Sequence, residues 1–140
     1  MASLEPRITL SLLWLYLMLN FIYCDIISLH DPSVQADVAS GQVGDIVIDD
    51  GFLLSASVLM TIPISMVLLS RLLPVVASRL ASIGAAAVMI AVQSASLFVG
   101  TVAPNYAYFS AIEIATMIVI IAVAVRSRRP ASIAVQTAAA

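Results

Sequence analysis

ITLSLLWLYLMLNFIYCDIISL, residues Ile8–Leu29, is the stretch on which the fold turns. A helix needs roughly 20 apolar residues to cross the hydrocarbon of a bilayer, and this run is long enough. Asn20 and Asp25 lie inside it, where a plain anchor carries no such group. The remainder of the chain reads as three further helices packed around this one.

Composition points the same way. Of 140 residues, 62% are hydrophobic and only 10% are charged, and lysine is absent. Soluble domains carry about 25% charged and about 45–50% apolar residues. A chain this small has no core large enough to hide so much apolar surface from water. The partner it implies is the lipid bilayer, with a second copy or another membrane protein as a further partner. The net charge of −2 says little, since where the charges sit matters more than their sum, and no nucleic-acid partner is expected. Cys24 is the only cysteine, so no internal disulfide or cysteine metal cluster can form, and it reads as a small apolar filler. His30 beside Asp31 supplies too few ligands for a metal. No sequence pattern implies a cofactor.

Around the first run, Met1–Arg7 is a short polar start. A cleaved signal peptide fits poorly, because the apolar run is long and no small-residue cleavage pattern follows. Bulky Tyr23 before Cys24 is equally wrong for a lipoprotein site. Residues 30–51 carry five aspartates and no arginine and read as a solvated acidic loop, within which Pro32–Ala39 is a short amphipathic piece. DIVIDDG, Asp45–Gly51, lacks the alternating acids and terminal Glu of a calcium-binding EF-hand loop.

A second apolar run covers Phe52–Ser70, with Pro63 near its middle. Proline removes the hydrogen bond to the Leu59 carbonyl, and Ser57, Thr61 and Ser65 are at hand to replace it. Arg71–Arg79, containing Pro74, is the connection to the third run, Leu80–Val102. Ala87, Ala91 and Ala95 recur there every four residues, a ridge suited to close helix contact. Ala103–Asn105 leads into the fourth run, Tyr106–Val125, and a disordered tail is expected over Pro130–Ala140. No internal repeat is visible. The expected fold is all-α, an integral membrane four-helix bundle of two hairpins.

All six arginines fall on one side of this arrangement: Arg7, Arg71, Arg79, Arg126, Arg128 and Arg129. Short flanks rich in Lys and Arg stay in the cytoplasm, which places both termini there.

Four segments now carry a resemblance: LLWLYLMLNFIYCDIISLHDP (Leu12–Pro32), GFLLSASVLMTIPISMVLLSR (Gly51–Arg71), AVQSASLFVGT (Ala91–Thr101) and YFSAIEIA (Tyr108–Ala115). Together they resemble a family of small four-helix bacterial membrane proteins of unknown function. The resemblance implies that architecture, in the bacterial cytoplasmic membrane, and no activity, substrate or cofactor.

Depth singles out the polar residues. At about 1.5 Å per residue, Asp25 lies about 6 Å and Asn20 about 14 Å from the outer end of the first run. Glu113 lies about 10 Å in from Tyr106, and Gln93 about 14 Å in from Val102. Ser57 and Thr61 fall in the same layer, while the inner halves read as nearly pure Leu, Val, Ile, Ala and Met. Tyr16, Asn20 and Tyr23 share one face of the first helix, and Asp25 lies on the stripe of Trp14, Met18 and Phe21. Only one of these faces can meet the bundle centre. Asn20 with its tyrosines is the expected one, leaving Asp25 at a helix seam or the outer interface. Packing alone accounts for most intramembrane Asn, Gln and hydroxyl groups.

Glu113 is different, since a carboxylate at a helix centre costs roughly 2.5–3.5 kcal/mol on insertion scales. It is expected to face the bundle as the neutral acid, bonded to Asn20, Gln93 or a tyrosine hydroxyl. Two function classes follow. Asn20, Asp25, Gln93, Glu113, Tyr16 and Tyr23 form a candidate site that binds or passes a proton, a cation or a small amphipathic molecule. Alternatively, the alanine ridge serves packing against other membrane helices. No nucleophile set, metal cluster or nucleotide loop supports an enzyme.

Overall fold

A computed structural model describes residues 5–99 and 102–127. Arg128, Arg129 and the tail expected to be disordered lie outside the described residues. In chain order the elements are α1 (Pro6–Ser28), α2 (Pro32–Ser40), β1 (Gln42–Val43), β2 (Ile46–Val47), α3 (Asp50–Leu72), α4 (Val75–Ser96) and α5 (Pro104–Arg126). Helices α1, α3, α4 and α5 have 22 or 23 residues each and are apolar enough to cross a membrane. Their outward faces carry Leu12, Leu19, Ile22, Leu54, Leu68 and Ile118, all exposed. An apolar surface of that extent suits hydrocarbon and not water. The chain is an all-α membrane protein.

The four long helices close into a ring. Helix α1 packs on α3 and α5, and α4 packs on the same two neighbours. At the centre lie Leu10, Trp14 and Leu17 of α1, Met66 of α3, Ala86 and Met89 of α4, and Met117 and Ile120 of α5. Trp14 is fully buried.

Local chemistry sets the boundaries. The residue before a proline is pushed out of helical geometry. Leu73 is accordingly extended, at φ −73° and ψ 152°, and ends α3. Pro74 then caps the start of α4. The turn between them is therefore tighter than Arg71–Arg79. Helix α4 ends at Ser96 and not at Val102, because the Ser96 hydroxyl donates to the Gln93 carbonyl at 2.8 Å and competes with the helical ladder.

The acidic segment is more ordered than a loop. Asp31 caps α2 by accepting from the Ser33 N–H at 2.9 Å, Pro32 fills the first turn, and Gly41 ends the helix at φ +72°. Gly44, at φ +58°, opens the turn between β1 and β2, where a glycine at the first central position matches the strand twist. Asp49 caps α3 through the Phe52 N–H at 2.8 Å. Two of the five aspartates are thus helix caps.

Two faces are turned opposite to expectation. On α1 the stripe Leu10, Trp14, Leu17, Phe21 and Cys24 is buried, while Tyr16 and Tyr23 are 49% and 58% exposed. The large apolar side chains take the interior. Asn20 needs no partner there, since its amide donates to the Tyr16 carbonyl of its own helix at 3.0 Å. On α4, Ala87, Ala91 and Ala95 are exposed, and the buried stripe is Ser78, Ser82, Ala86, Met89 and Gln93. A small-residue ridge does pack inward, but it is Ser78, Ser82 and Ala86.

The arginine-bearing end is not purely apolar either. Trp14 donates its indole N–H to Ser82 at 3.4 Å, Ser78 donates to the Ser70 carbonyl at 3.0 Å, and Ser11 donates to the Val67 carbonyl at 2.7 Å. Hydroxyls pair with backbone carbonyls and so tolerate burial. Arg79 donates to the Ala124 carbonyl at 2.6 Å, and Arg7 donates to the Arg71 carbonyl, so two arginines satisfy the last turns of α5 and α3.

Candidate functional site

At the end opposite the arginines, the four long helices leave a cavity of about 770 Å³. Val34 and Asp37 of α2 and Val43 and Ile46 of the hairpin line it on one side. Phe52, Ser55 and Leu59 of α3, Val92 and Ser96 of α4, and Tyr106 of α5 line the rest, with Asp25 and Ser28 from α1. The walls are apolar with a few polar groups, which is the usual make-up of a small-molecule site, and the volume falls within the usual range of about 300–1,000 Å³.

Hydrogen bonds fix the rim. Asn105 donates to Ser28 at 3.2 Å and joins α5 to α1. Ser96 and Tyr106 share a bond of 2.6 Å between α4 and α5. On α2, Asp31 accepts from both the hydroxyl and the N–H of Ser33, which hold its carboxyl below the usual carboxylate range. Gln35 donates to the Leu29 carbonyl at 2.8 Å and ties α2 to the end of α1. Among the described residues, the lining contains two carboxylates, Asp25 and Asp37, and no Arg or His. Among the described residues, no three His, Cys, Asp or Glu side chains gather as a metal site requires.

The residues expected to form one site divide into three groups. Asp25 is exposed and lines the cavity. Tyr16, Asn20 and Tyr23 lie with Leu19, Ile27 and Phe109 along a separate, shallow groove of about 340 Å³ on the outer surface. Gln93 and Glu113 are buried between helices. Gln93 donates to Ser110 at 2.8 Å, so it is not the partner of Glu113. Asn20 and the two tyrosines face outward and are not partners either. Neither carboxyl oxygen of Glu113 has a hydrogen-bond partner among the described residues, and the residue is 1% exposed. Ser57 and Thr61 donate to the Leu53 and Ser57 carbonyls of their own helix, not to the Leu59 carbonyl that Pro63 frees.

Residues 4–133 match the model of a family of unknown function, DUF6326. The chain belongs to this family. No curated protein and no solved structure matches the chain. The match to DUF6326 runs through all four long helices and the capping segment, so the cavity lies wholly within the shared domain.

Sequence reasoning read Pro32–Ala39 as a short amphipathic piece, which is α2 bar its last residue, but missed the hairpin and the wall that the two form along the cavity. Its signal was present. Asp31-Pro32 followed by Gly41 is an N-cap, a first-turn proline and a C-terminal glycine, the usual marks of a short helix. Gly44-Asp45 between Val43 and Ile46 is a two-residue hairpin turn.

Proposed function

We propose that this DUF6326 protein binds a small amphipathic cation in the cavity at its aspartate-bearing end. The supporting observation is an apolar cavity of about 770 Å³ whose only charged lining groups among the described residues are Asp25 and Asp37. Apolar walls take the hydrocarbon part of such a ligand, and Asp25, at the edge of the membrane-spanning region, takes its positive charge. The arginine-bearing flanks support an orientation with both termini inside and the cavity opening outward, in a bacterial cytoplasmic membrane.

Equilibrium binding of decyltrimethylammonium to the protein in lipid nanodiscs tests this. The parent should show saturable binding above lipid partitioning, and Asp25→Asn should bind about ten-fold more weakly, since an ion pair at about 4 Å is worth about 1 kcal/mol in water and more where water is partly excluded. Decanol, with no charge, should not distinguish the two. Equal affinity of parent and Asp25→Asn for the cation would end the proposal.

The exposed ridge Ala87, Ala91 and Ala95 favours a second reading, in which α4 packs against a helix of another copy or of a different membrane protein.

A further inference from the structure

The cavity leaves one chemically expressive group unused. Glu113 sits nine residues into α5, about 14 Å from Pro104 at about 1.5 Å per residue. Its carboxyl is buried, with neither oxygen paired among the described residues. Native proteins rarely leave such a group without a reason, because an unsatisfied buried polar atom destabilises the fold.

What surrounds it narrows the reason. Helix α5 packs on α1 and α4. The basic residue of α4, Arg79, is engaged at the far end with the Ala124 and Val125 carbonyls. The basic residue of α1, Arg7, is engaged at that same end with the Arg71 carbonyl. Gln93 of α4 is neutral and bonded to Ser110. Tyr16 and Tyr23 of α1 point outward. Cys24 of α1 is buried. The Asn105–Ser28 bond sets α5 beside α1, with Asp25 three residues and Glu113 eight residues below it, so the two carboxyls differ in depth by only about 7.5 Å at about 1.5 Å per residue. Among the described residues, the charge that Glu113 meets from a neighbouring helix is therefore the carboxylate of Asp25, and Asp25 is also in the cavity wall.

We propose that Glu113 holds a proton in the empty protein and releases it when a cation settles against Asp25 in the cavity. This rests on the cavity reading above. Glu113 is shielded from water and has a second carboxylate nearby to repel its charge, and both effects disfavour its charged form, so it keeps its proton. A cation beside Asp25 cancels that repulsion and replaces it with attraction toward Glu113. One positive charge enters, one proton leaves to the water, and the charge of the site is conserved. By linkage the effect is reciprocal: protons weaken cation binding by the factor that the cation weakens proton binding. The sign follows. Affinity rises with pH, by at most about ten-fold per pH unit, across the range where Glu113 is protonated when empty and ionised when occupied.

Decyltrimethylammonium is the probe, since its own charge does not titrate. Proton release into weakly buffered solution, measured with nanodisc-held protein near neutral pH, should approach one proton per cation bound. Glu113→Gln should release none and bind with an affinity independent of pH, while Glu113→Asp, which restores an acid, should restore the release. Infrared spectra should show a protonated carboxyl at neutral pH that Glu113→Gln lacks. Cation binding without proton release, or equal release from Glu113→Gln, overturns this inference and leaves the cavity reading standing. No saturable binding by the parent overturns both.

Discussion

At the scale of single residues, Glu113 sets the terms for stability. Its depth predicted an inward acid, and it is inward; the partners expected for it are engaged elsewhere or face outward. That changes what a substitution should do. Had Glu113 been bonded, an apolar replacement would have stranded its partners. Because neither oxygen is paired, Glu113→Met removes an unsatisfied group at nearly constant volume. It should raise stability by about 1–3 kcal/mol, the usual penalty of such a group. Thermal unfolding in detergent, compared with Glu113→Gln, measures this. A less stable Glu113→Met would mean that the carboxyl is bonded in the membrane-embedded protein. Buried groups that weaken a fold are characteristic of working sites, and the expected gain is of that kind.

Elements show which sequence signals carried weight. Run length and hydropathy located all four long helices, because spanning a bilayer demands a property that composition displays directly. Which face of each helix turns inward was not legible from polarity. The α1 prediction failed because Asn20 bonds its own backbone, and the α4 prediction failed because serines serve as small residues as well as alanines do. The two ridges of α4 can be told apart by experiment. Ala86 is fully buried, so Ala86→Leu should overpack the ring and destabilise it by about 1–3 kcal/mol. Ala91 is exposed, and Ala91→Leu should leave the unfolding temperature of the single chain unchanged. A change in oligomeric state with Ala91→Leu, seen by cross-linking in membranes, would favour the packing role of that ridge. Capping residues were legible in principle: Asp31, Pro32 and Gly41 mark α2 plainly, but the acidity of the segment drew attention to charge instead.

For the molecule as a whole, the polarity of the two ends is the organising fact. One end gathers the described arginines Arg7, Arg71, Arg79 and Arg126, two of which satisfy helix carbonyls. The other gathers aspartates, the α2 and hairpin cap, and the cavity. The arginines thus serve both orientation and helix termination, which their one-sided placement in the sequence announced only for the first. An enzymatic reporter that works only in the cytoplasm should be active when fused after residue 127. One that works only outside should be active when inserted at Asp45, in the hairpin turn. The reverse pattern would place the cavity in the cytoplasm.

Because α1 and α5 are neighbours in the ring, the earliest and latest made of these four spans must find each other. Until α5 has been made, the ring stays open beside α1, and Glu113 has yet to emerge. Every nascent chain therefore waits in the bilayer as an open crescent. Helix α5 carries the acid and at the same time supplies the wall that shields it. A stop codon anywhere before α5 leaves a crescent with its seam exposed to lipid, the kind of intermediate that membrane proteases and insertion chaperones would be left to handle.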